Sequence, residues 1–192
     1  MAKLRHLVER AMDKDKIFNE ARNVIETYLV MKSLQRVSDT RSQSFRVSAR
    51  IDVDARQEKL NMLLLEAAER GDKECAKKLL GEGADVNSCD QYGWTPLMAA
   101  TFHCRSIMVE FLLSKGANTN ARDNYYGRTA LMDAVMATHE SIEAREKVVE
   151  LLLNNGADAN IADNNGQTPL GFAEATKGLE RIAELLRSRG AR

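Results

Sequence analysis

The sequence predicts an all-α solenoid built from repeated pairs of short helices. The first observation is a Gly-Ala pair that recurs at spacings of 33, 40 and 34 residues, beginning at Gly83, Gly116, Gly156 and Gly190. The second is a Thr-Pro-Leu or Thr-Ala-Leu segment, preceded each time by an Asp and a Gly, that begins at Thr95, Thr129 and Thr168. Because several residue types return in register, residues 55 to 192 are expected to repeat one structural unit.

The stretch from Gly93 to Asn120 shows why this pattern predicts two helices. Thr95 is a hydroxyl N-cap residue, whose side-chain oxygen accepts from the free N–H groups of the first turn. Pro96 follows at the first helical position, where its missing N–H costs nothing. A second, apolar helix ends at Gly116, because glycine adopts the left-handed conformation without a Cβ penalty. Neither helix buries its apolar face alone, so each unit needs a neighbour.

These residues together resemble the ankyrin repeat, a unit of about 33 residues. The resemblance implies helix-turn-helix units joined by β-hairpin loops, in four repeats at about 55–89, 90–122, 123–162 and 163–192. The first repeat lacks the Thr-Pro-Leu entry, and the last helix of the fourth is polar on one side, as terminal repeats must be. The third repeat has one extra residue between Asp123 and Gly127, and about six more at 138–144.

The first 54 residues lie outside the resemblance. Residues 1–37 carry apolar residues at helical spacing, interrupted by charge at 13–16, and predict an N-terminal helical extension. This extension is expected to cap the repeats, to mediate self-association or partner docking, or to be partly disordered. Residues 38–54 are rich in Ser and Arg and predict a linker, extended because apolar and polar residues alternate from Phe45. A new helix is expected to begin at Asp54 as N-cap, with Gln57 completing a capping box.

The charge balance excludes several classes of partner. Lys and Arg together number 28, and so do Asp and Glu, whereas bulk binding to nucleic acid or to anionic membranes needs a basic excess.

The N-terminus has no continuous apolar core of a secretory signal, and no run is apolar for long enough to span a membrane. The three cysteines, Cys75, Cys89 and Cys104, are expected to be reduced thiols, so we expect a cytoplasmic or nuclear protein.

No residue pattern predicts catalysis, a cofactor or a metal. The spacing of Cys89, His103 and Cys104 matches no compact zinc pattern. His139-Glu140 lacks the second histidine that a zinc-protease helix requires. No histidine has a nucleophile partner that is evident in the sequence, so the protein is not expected to be an enzyme.

The resemblance implies a binding surface made of the hairpin tips, or fingers, and of the first helices, or palm. The variable positions of this surface are Gln91, Tyr92, Trp94, Phe102, His103, Tyr125, Tyr126, Arg128, Met136, Asn164, Asn165 and Gln167. Aromatic residues are only 5% of the chain, yet several fall here, and Trp, Tyr and Arg dominate interface hot spots. The alternative for Trp94 and Phe102 is packing between adjacent repeats.

The predicted function is therefore a non-catalytic protein-interaction module that binds a protein partner through repeats two and three. Two alternatives remain open. In one, the N-terminal helix mediates homo-oligomerisation or partner docking and the repeats are scaffold. In the other, the chain is an inhibitor or effector that blocks a target enzyme. Neither alternative involves nucleic acid or a membrane.

Overall fold

The computed structural model describes residues 44–137 and 139–192. Within these residues the chain forms eight α-helices, and no strand is assigned. They are α1 (Ser44–Arg70), α2 (Lys73–Gly81), α3 (Pro96–Phe102), α4 (Ser106–Ser114), α5 (Ala130–Met136), α6 (Ile142–Asn154), α7 (Pro169–Ala175) and α8 (Glu180–Ser188). The helix expected over residues 1–37 lies outside the described residues.

The helices pack in two rows within the compact unit Arg56–Arg192. Helices α3, α5 and α7 lie side by side in one row, and α2, α4, α6 and α8 follow one another in the second. The two helices of each repeat also pack against each other, as α3 with α4, α5 with α6 and α7 with α8. The predicted all-α solenoid is therefore confirmed.

The first helices of the repeats begin where the sequence predicts. The side-chain oxygen of Thr95 accepts from the N–H of Met98 at 3.2 Å, and Thr168 does the same for Gly171 at 3.1 Å. A proline opens each of these two helices. At Thr129 no side-chain cap bond forms, although the backbone is extended in the same way. Local capping therefore starts two of these helices, and burial of α5 stabilises the third.

The core consists of aliphatic residues contributed by successive repeats. Fully buried side chains include Leu64, Leu97, Leu112, Leu131, Leu152 and Ile182. Each contributes about 1.5–3 kcal/mol by leaving water. Met98 and Met132 stand where the ankyrin repeat has the histidine of its Thr-Pro-Leu-His signature, and they are 1% and 0% exposed. Flexible thioether side chains thus fill the space that the histidine otherwise occupies.

The expectation of an extended linker is wrong over residues 44–54, because α1 runs without interruption from Ser44 to Arg70. No Gly or Pro occurs in this stretch, so nothing in the sequence stops the helix. An alternating strand would also need a partner edge, and none is assigned in the described parts of the chain. Asp54 is consequently an interior residue of α1 and not its N-cap. Residues 38–43 lie outside the described residues.

The insertion in the third repeat lengthens both a helix and a loop. Helix α6 has 13 residues, whereas α4 and α8 have nine each. Ser141 caps α6 by accepting from the N–H of Ala144 at 3.2 Å. The remaining extra residues lie between α5 and α6 and place His139 and Glu140 beside the neighbouring repeat.

Candidate functional site

The fingers are three tight turns, 90–94, 123–128 and 163–167, each closed around one aspartate. Asp90 accepts from the backbone N–H groups of Tyr92 and Trp94 at 2.8 and 2.9 Å. Asp123 accepts from three N–H groups because its finger has one more residue, those of Tyr125, Tyr126 and Arg128. Asp163 repeats the pattern of Asp90 with Asn165 and Gln167. The framework aspartates therefore hold the fingers in shape through bonds to backbone N–H groups, which do not depend on the side chains between them.

Neighbouring fingers are joined through the backbone. The N–H of Asn124 donates to the carbonyl oxygen of Tyr92 at 2.8 Å, and the N–H of Asn164 donates to that of Tyr126 at the same distance. The Asn164 side chain also donates to the carbonyl oxygen of Tyr125 at 3.2 Å. Asn164 was predicted to contact a partner, and the structure gives it this second task of linking two fingers.

Arg122 adds a second link between the last two fingers. Its guanidinium donates to the carbonyl oxygens of Gly127 and Ala162, at 2.9 and 3.0 Å, and to the side-chain oxygen of Asn164 at 3.3 Å. Arg122 lies at the turn before its finger, and these three bonds are within the protein. The finger surface is consequently a preorganised one.

The tyrosines of the fingers differ in exposure. Tyr125 is 65% exposed and Tyr92 is 46% exposed, whereas Tyr126 is half-buried. The Tyr126 ring is held edge-on against Tyr125, with centroids 4.6 Å apart. The guanidinium of Arg128 lies 4.3 Å from the Tyr126 ring centre, a cation–π distance. Tyr126 and Arg128 thus support the finger at 123–128, whereas Tyr92 and Tyr125 present the outer surfaces of the fingers at 90–94 and 123–128.

Phe172 of α7 is a member of this surface that sequence reasoning missed. Its ring centre lies 5.9 Å from the Arg128 guanidinium. Phe172 belongs to the fourth repeat, whereas Tyr126 and Arg128 belong to the third. Phe172 is half-buried. Its apolar ring in a short first helix predicts only packing, so no local signal distinguishes it from a core residue.

Trp94 and Phe102 form an aromatic cluster on the palm. Their ring centres are 6.0 Å apart at an interplanar angle of 71°, an edge-on arrangement. Phe102 also lies 4.8 Å from the ring of His139, which comes from the next repeat. Both Trp94 and Phe102 are half-buried, so they pack between repeats and still present part of their surface to solvent.

Two histidines and two glutamates meet beside this cluster. The rings of His103 and His139 are 5.6 Å apart. The Nε2 atom of His103 lies 3.4 Å from a carboxylate oxygen of Glu69, and that of His139 lies 4.0 Å from one of Glu140. Burial, and then the neighbouring His103, lower the pKa of His139 below its usual value. The sequence spacing predicts no metal site here, because these residues are brought together only by the fold.

The remaining predicted residues lie at the edges of the surface. Gln91, Asn165 and Gln167 are exposed on the fingers, and Met136 is half-buried at the end of α5. The side chain of Asn165 is within 3.5 Å of an oxygen of Asp163, on its own finger. These four residues therefore widen the surface around the tyrosines without forming a cluster of their own.

The cysteines differ in accessibility. Cys75 and Cys89 are exposed free thiols, and Cys104 is a buried one. Burial, and to a smaller extent Glu140, raise the pKa of the Cys104 thiol to about 11. Cys104 also has a positive φ of 46°, at the turn after α3. Cys104 is thus a structural residue with little thiolate at neutral pH.

In the described part of the chain, no helix combines the length and the apolar character that crossing a membrane requires.

Comparison with known protein families confirms the repeat architecture. A model of ankyrin repeats in three copies matches residues 64–144, and a single ankyrin-repeat model matches residues 126–164. The chain belongs to the ankyrin-repeat family. Ankyrin repeats are generally non-catalytic and mediate protein–protein interaction, which agrees with the expected class of function.

Similar proteins match this chain over 62 to 100 residues. Human mitochondrial disaggregase is 42% identical over 62 residues, which are 32% of this ankyrin-repeat chain and 9% of that protein. A mouse ankyrin repeat, SAM and basic leucine zipper domain-containing protein is 41% identical over 63 residues, 33% of this chain and 13% of that protein. Human transient receptor potential cation channel subfamily A member 1 is 34% identical over 100 residues, 52% of this chain and 9% of that protein. The chain thus spans only a small part of these relatives.

Proposed function

We propose that this ankyrin-repeat chain is a non-catalytic interaction module that binds a protein partner through repeats two and three. The contact surface consists of Tyr92, Trp94, Phe102 and Tyr125, with Arg128 beside them. The observation that carries the proposal is the exposure of Tyr125 and Tyr92, 65% and 46%, on two fingers that are hydrogen-bonded to each other. Exposed aromatic side chains of this size on a rigid surface are typical of interface hot spots.

The rigidity of the fingers favours binding. Asp90 and Asp123 fix the finger backbones, and the bond from Asn124 to Tyr92 fixes one finger against the next. The tyrosines therefore need little ordering when a partner binds. Preorganisation of this kind raises affinity because less conformational entropy is lost on association.

A test compares two surfaces of the same protein. The full chain is immobilised as wild type, as the double variant Tyr92→Ser/Tyr125→Ser, and as Ile107→Ser. Ile107 lies on α4, in the second row of helices, and is as exposed as Tyr125, at 65%. Captured proteins are identified by mass spectrometry, and affinities are then measured with the purified partner.

We expect the double variant to lose a partner that the wild type and Ile107→Ser retain. Loss with Ile107→Ser and retention with the tyrosine double variant would place the interface on the second row of helices and contradict the proposal. Circular dichroism and urea unfolding of all three proteins show whether a loss comes from unfolding. Whether the interaction inhibits, scaffolds or regulates the partner is then read from the partner's own activity.

The second candidate function belongs to the N-terminal extension, whose apolar stripe in residues 1–37 favours association. Light scattering of the full chain and of a fragment beginning at Ser38 measures this directly. A dimer of the full chain beside a monomeric fragment supports self-association. Two monomers eliminate it, and the repeats then remain as the interaction surface.

We also infer a cytoplasmic or nuclear location. The support is the presence of two exposed free thiols, Cys75 and Cys89, which oxidising compartments convert to disulfides. Fractionation of cells that express the full chain tests this inference, and recovery in the secreted fraction contradicts it.

A further inference from the structure

The insertion of the third repeat has a visible structural result. The turn after α3 carries His103, and the longer connection between α5 and α6 carries His139 and Glu140. This longer connection brings the His139 ring to 5.6 Å from that of His103. The equivalent connections of the second and fourth repeats are shorter and still join their helices, so packing alone does not require the longer one.

Three metal-binding groups converge at this point. One ligand atom each from His103, His139 and Glu140 lies within 4.8 Å of the others. Glu69 lies near the C-terminal end of α1, in the first repeat. One of its carboxylate oxygens is 3.4 Å from Nε2 of His103. All four side chains are between 28% and 42% exposed, so an ion can reach them from solvent.

We propose that His103, His139 and Glu140 bind a divalent first-row transition metal ion, with Zn²⁺ as the best fit and Glu69 as a further carboxylate ligand. Imidazole nitrogen and carboxylate oxygen are both ordinary ligands of Zn²⁺. Imidazole favours Zn²⁺ over Mg²⁺ and Ca²⁺, which take oxygen ligands. The two carboxylates offset the charge of the ion.

The ligand atoms must move closer together to bind one ion, since those of His103, His139 and Glu140 are up to 4.8 Å apart. Zinc bonds of 2.0–2.2 Å in a tetrahedral site place ligand atoms about 3.3–3.6 Å apart. The pair of His103 and Glu69 already has this separation, at 3.4 Å, and the pair of His139 and Glu140 is at 4.0 Å. We expect rotation of these partly exposed side chains to close the difference.

The proposed ligands belong to two neighbouring repeats, His103 to the second and His139 and Glu140 to the third. A bound ion would tie the second and third repeats together at the palm. It would consequently stabilise the fold by an amount that grows with the logarithm of its concentration relative to its dissociation constant.

The test is calorimetric titration of the full chain with ZnCl₂ at neutral pH. The chain carries Cys75→Ser and Cys89→Ser, because the two exposed thiols would bind zinc on their own. We expect saturation at one Zn²⁺ per chain. The double variant His103→Gln/His139→Gln should weaken binding at least about tenfold, the scale on which changes at a metal site act.

Two variants serve as controls. His6→Gln changes a histidine of the N-terminal extension, and Glu150→Gln changes an exposed carboxylate on α6. Both should bind Zn²⁺ like the parent. Weakening by His6→Gln equal to that of the double variant would move the site to the extension and overturn the proposal.

Urea unfolding gives a second measurement. Zn²⁺ should raise the unfolding midpoint of the parent but not that of His103→Gln/His139→Gln, and EDTA should abolish the difference. Co²⁺ in place of Zn²⁺ reports the coordination geometry through its visible absorption. No saturable binding by the parent, or equal affinity in the parent and the double variant, overturns the proposal. The tyrosine surface is unaffected by either outcome.

Discussion

The backbone N–H of Asn124 donates to the carbonyl oxygen of Tyr92 at 2.8 Å, and this bond joins the two fingers that carry the exposed tyrosines. Gly93 follows Tyr92 with a φ of +77°, in the left-handed region. A Cβ atom added at Gly93 would lie 2.8 Å from the same nitrogen of Asn124. Gly93 is therefore required both for its own turn and for the close approach of the next finger.

The first prediction is that Gly93→Ala destabilises the fold more than Gly166→Ala does. Gly166 has nearly the same φ, +76°, but has no atom within 4 Å of an added Cβ. Left-handed strain alone costs about 1–2 kcal/mol at either position. The clash at Gly93 should add about 1–3 kcal/mol, as overpacking does. Urea unfolding followed by circular dichroism measures both free energies.

Because the two glycines share their backbone conformation, Gly166→Ala serves as the matched control for strain. Equal losses at the two positions would mean that the fingers move apart without cost. The preorganised surface inferred for the proposed interface would then be wrong as well.

Local signals in the sequence account for most of the fold. A threonine N-cap followed by proline is read from adjacent residues, and the helices at Thr95 and Thr168 begin as predicted. The predicted start of α1 at Asp54 is wrong, since the helix begins at Ser44. The alternation from Phe45 to Asp54 resembles a strand pattern, while the absence of Gly and Pro permits a helix. Periodicity over so short a stretch does not separate the two.

The candidate sites were predictable to different degrees. Tyr92 and Tyr125 occupy variable finger positions, so the repeat register alone places them on one surface. The meeting of His103 with His139 depends on the path of an insertion, which has no counterpart in the repeat pattern. Only the folded chain shows that the insertion turns back toward the second repeat.

The second prediction separates two adjacent tyrosines. Tyr126→Ala should lower the free energy of unfolding by about 0.5–1 kcal/mol, since the Arg128 guanidinium lies over its ring at 4.3 Å. Tyr125→Ala should change stability by less than about 0.5 kcal/mol, because its side chain is 65% exposed. Thermal and urea unfolding of the two variants measure these effects.

The same pair is then compared in binding. Tyr125→Ala should weaken the binding of a captured partner by about 2 kcal/mol, the scale of a hot spot. If the partner binds Tyr125→Ala and Tyr92→Ala as tightly as it binds the wild type, the fingers are not part of the interface.

The third prediction concerns the thiols. At pH 8, iodoacetamide should modify Cys75 and Cys89 rapidly and Cys104 slowly, because burial raises the pKa of Cys104 to about 11 and restricts access to it. Mass spectrometry of peptides from the native protein measures each rate. Unfolding in urea is the control, since it should equalise the three cysteines. Rapid native modification of Cys104 would contradict the packing after α3.

The fourth prediction is a pH dependence of stability that originates at His139. The pKa of His139 in the folded protein is lowered from 6.5, chiefly by burial. The unfolded chain therefore binds a proton more readily, and folding stability is complete above about pH 6.5 and falls as the pH decreases through that value. Urea unfolding in EDTA should show a smaller decrease from pH 7.5 to 5.5 for His139→Gln than for the wild type.

Glu143 and Glu180 do not produce the same slope in this window. The pKa values of Glu143 and Glu180 are lowered from 4.5, through hydrogen bonds to backbone N–H groups, so any loss from their protonation begins at lower pH. His6→Gln controls for a histidine of the N-terminal extension. If His139→Gln and the wild type lose stability equally between pH 7.5 and 5.5, burial does not govern His139. The insertion would then lie more openly in solvent than its contact with Phe102 implies, at 4.8 Å between ring centres.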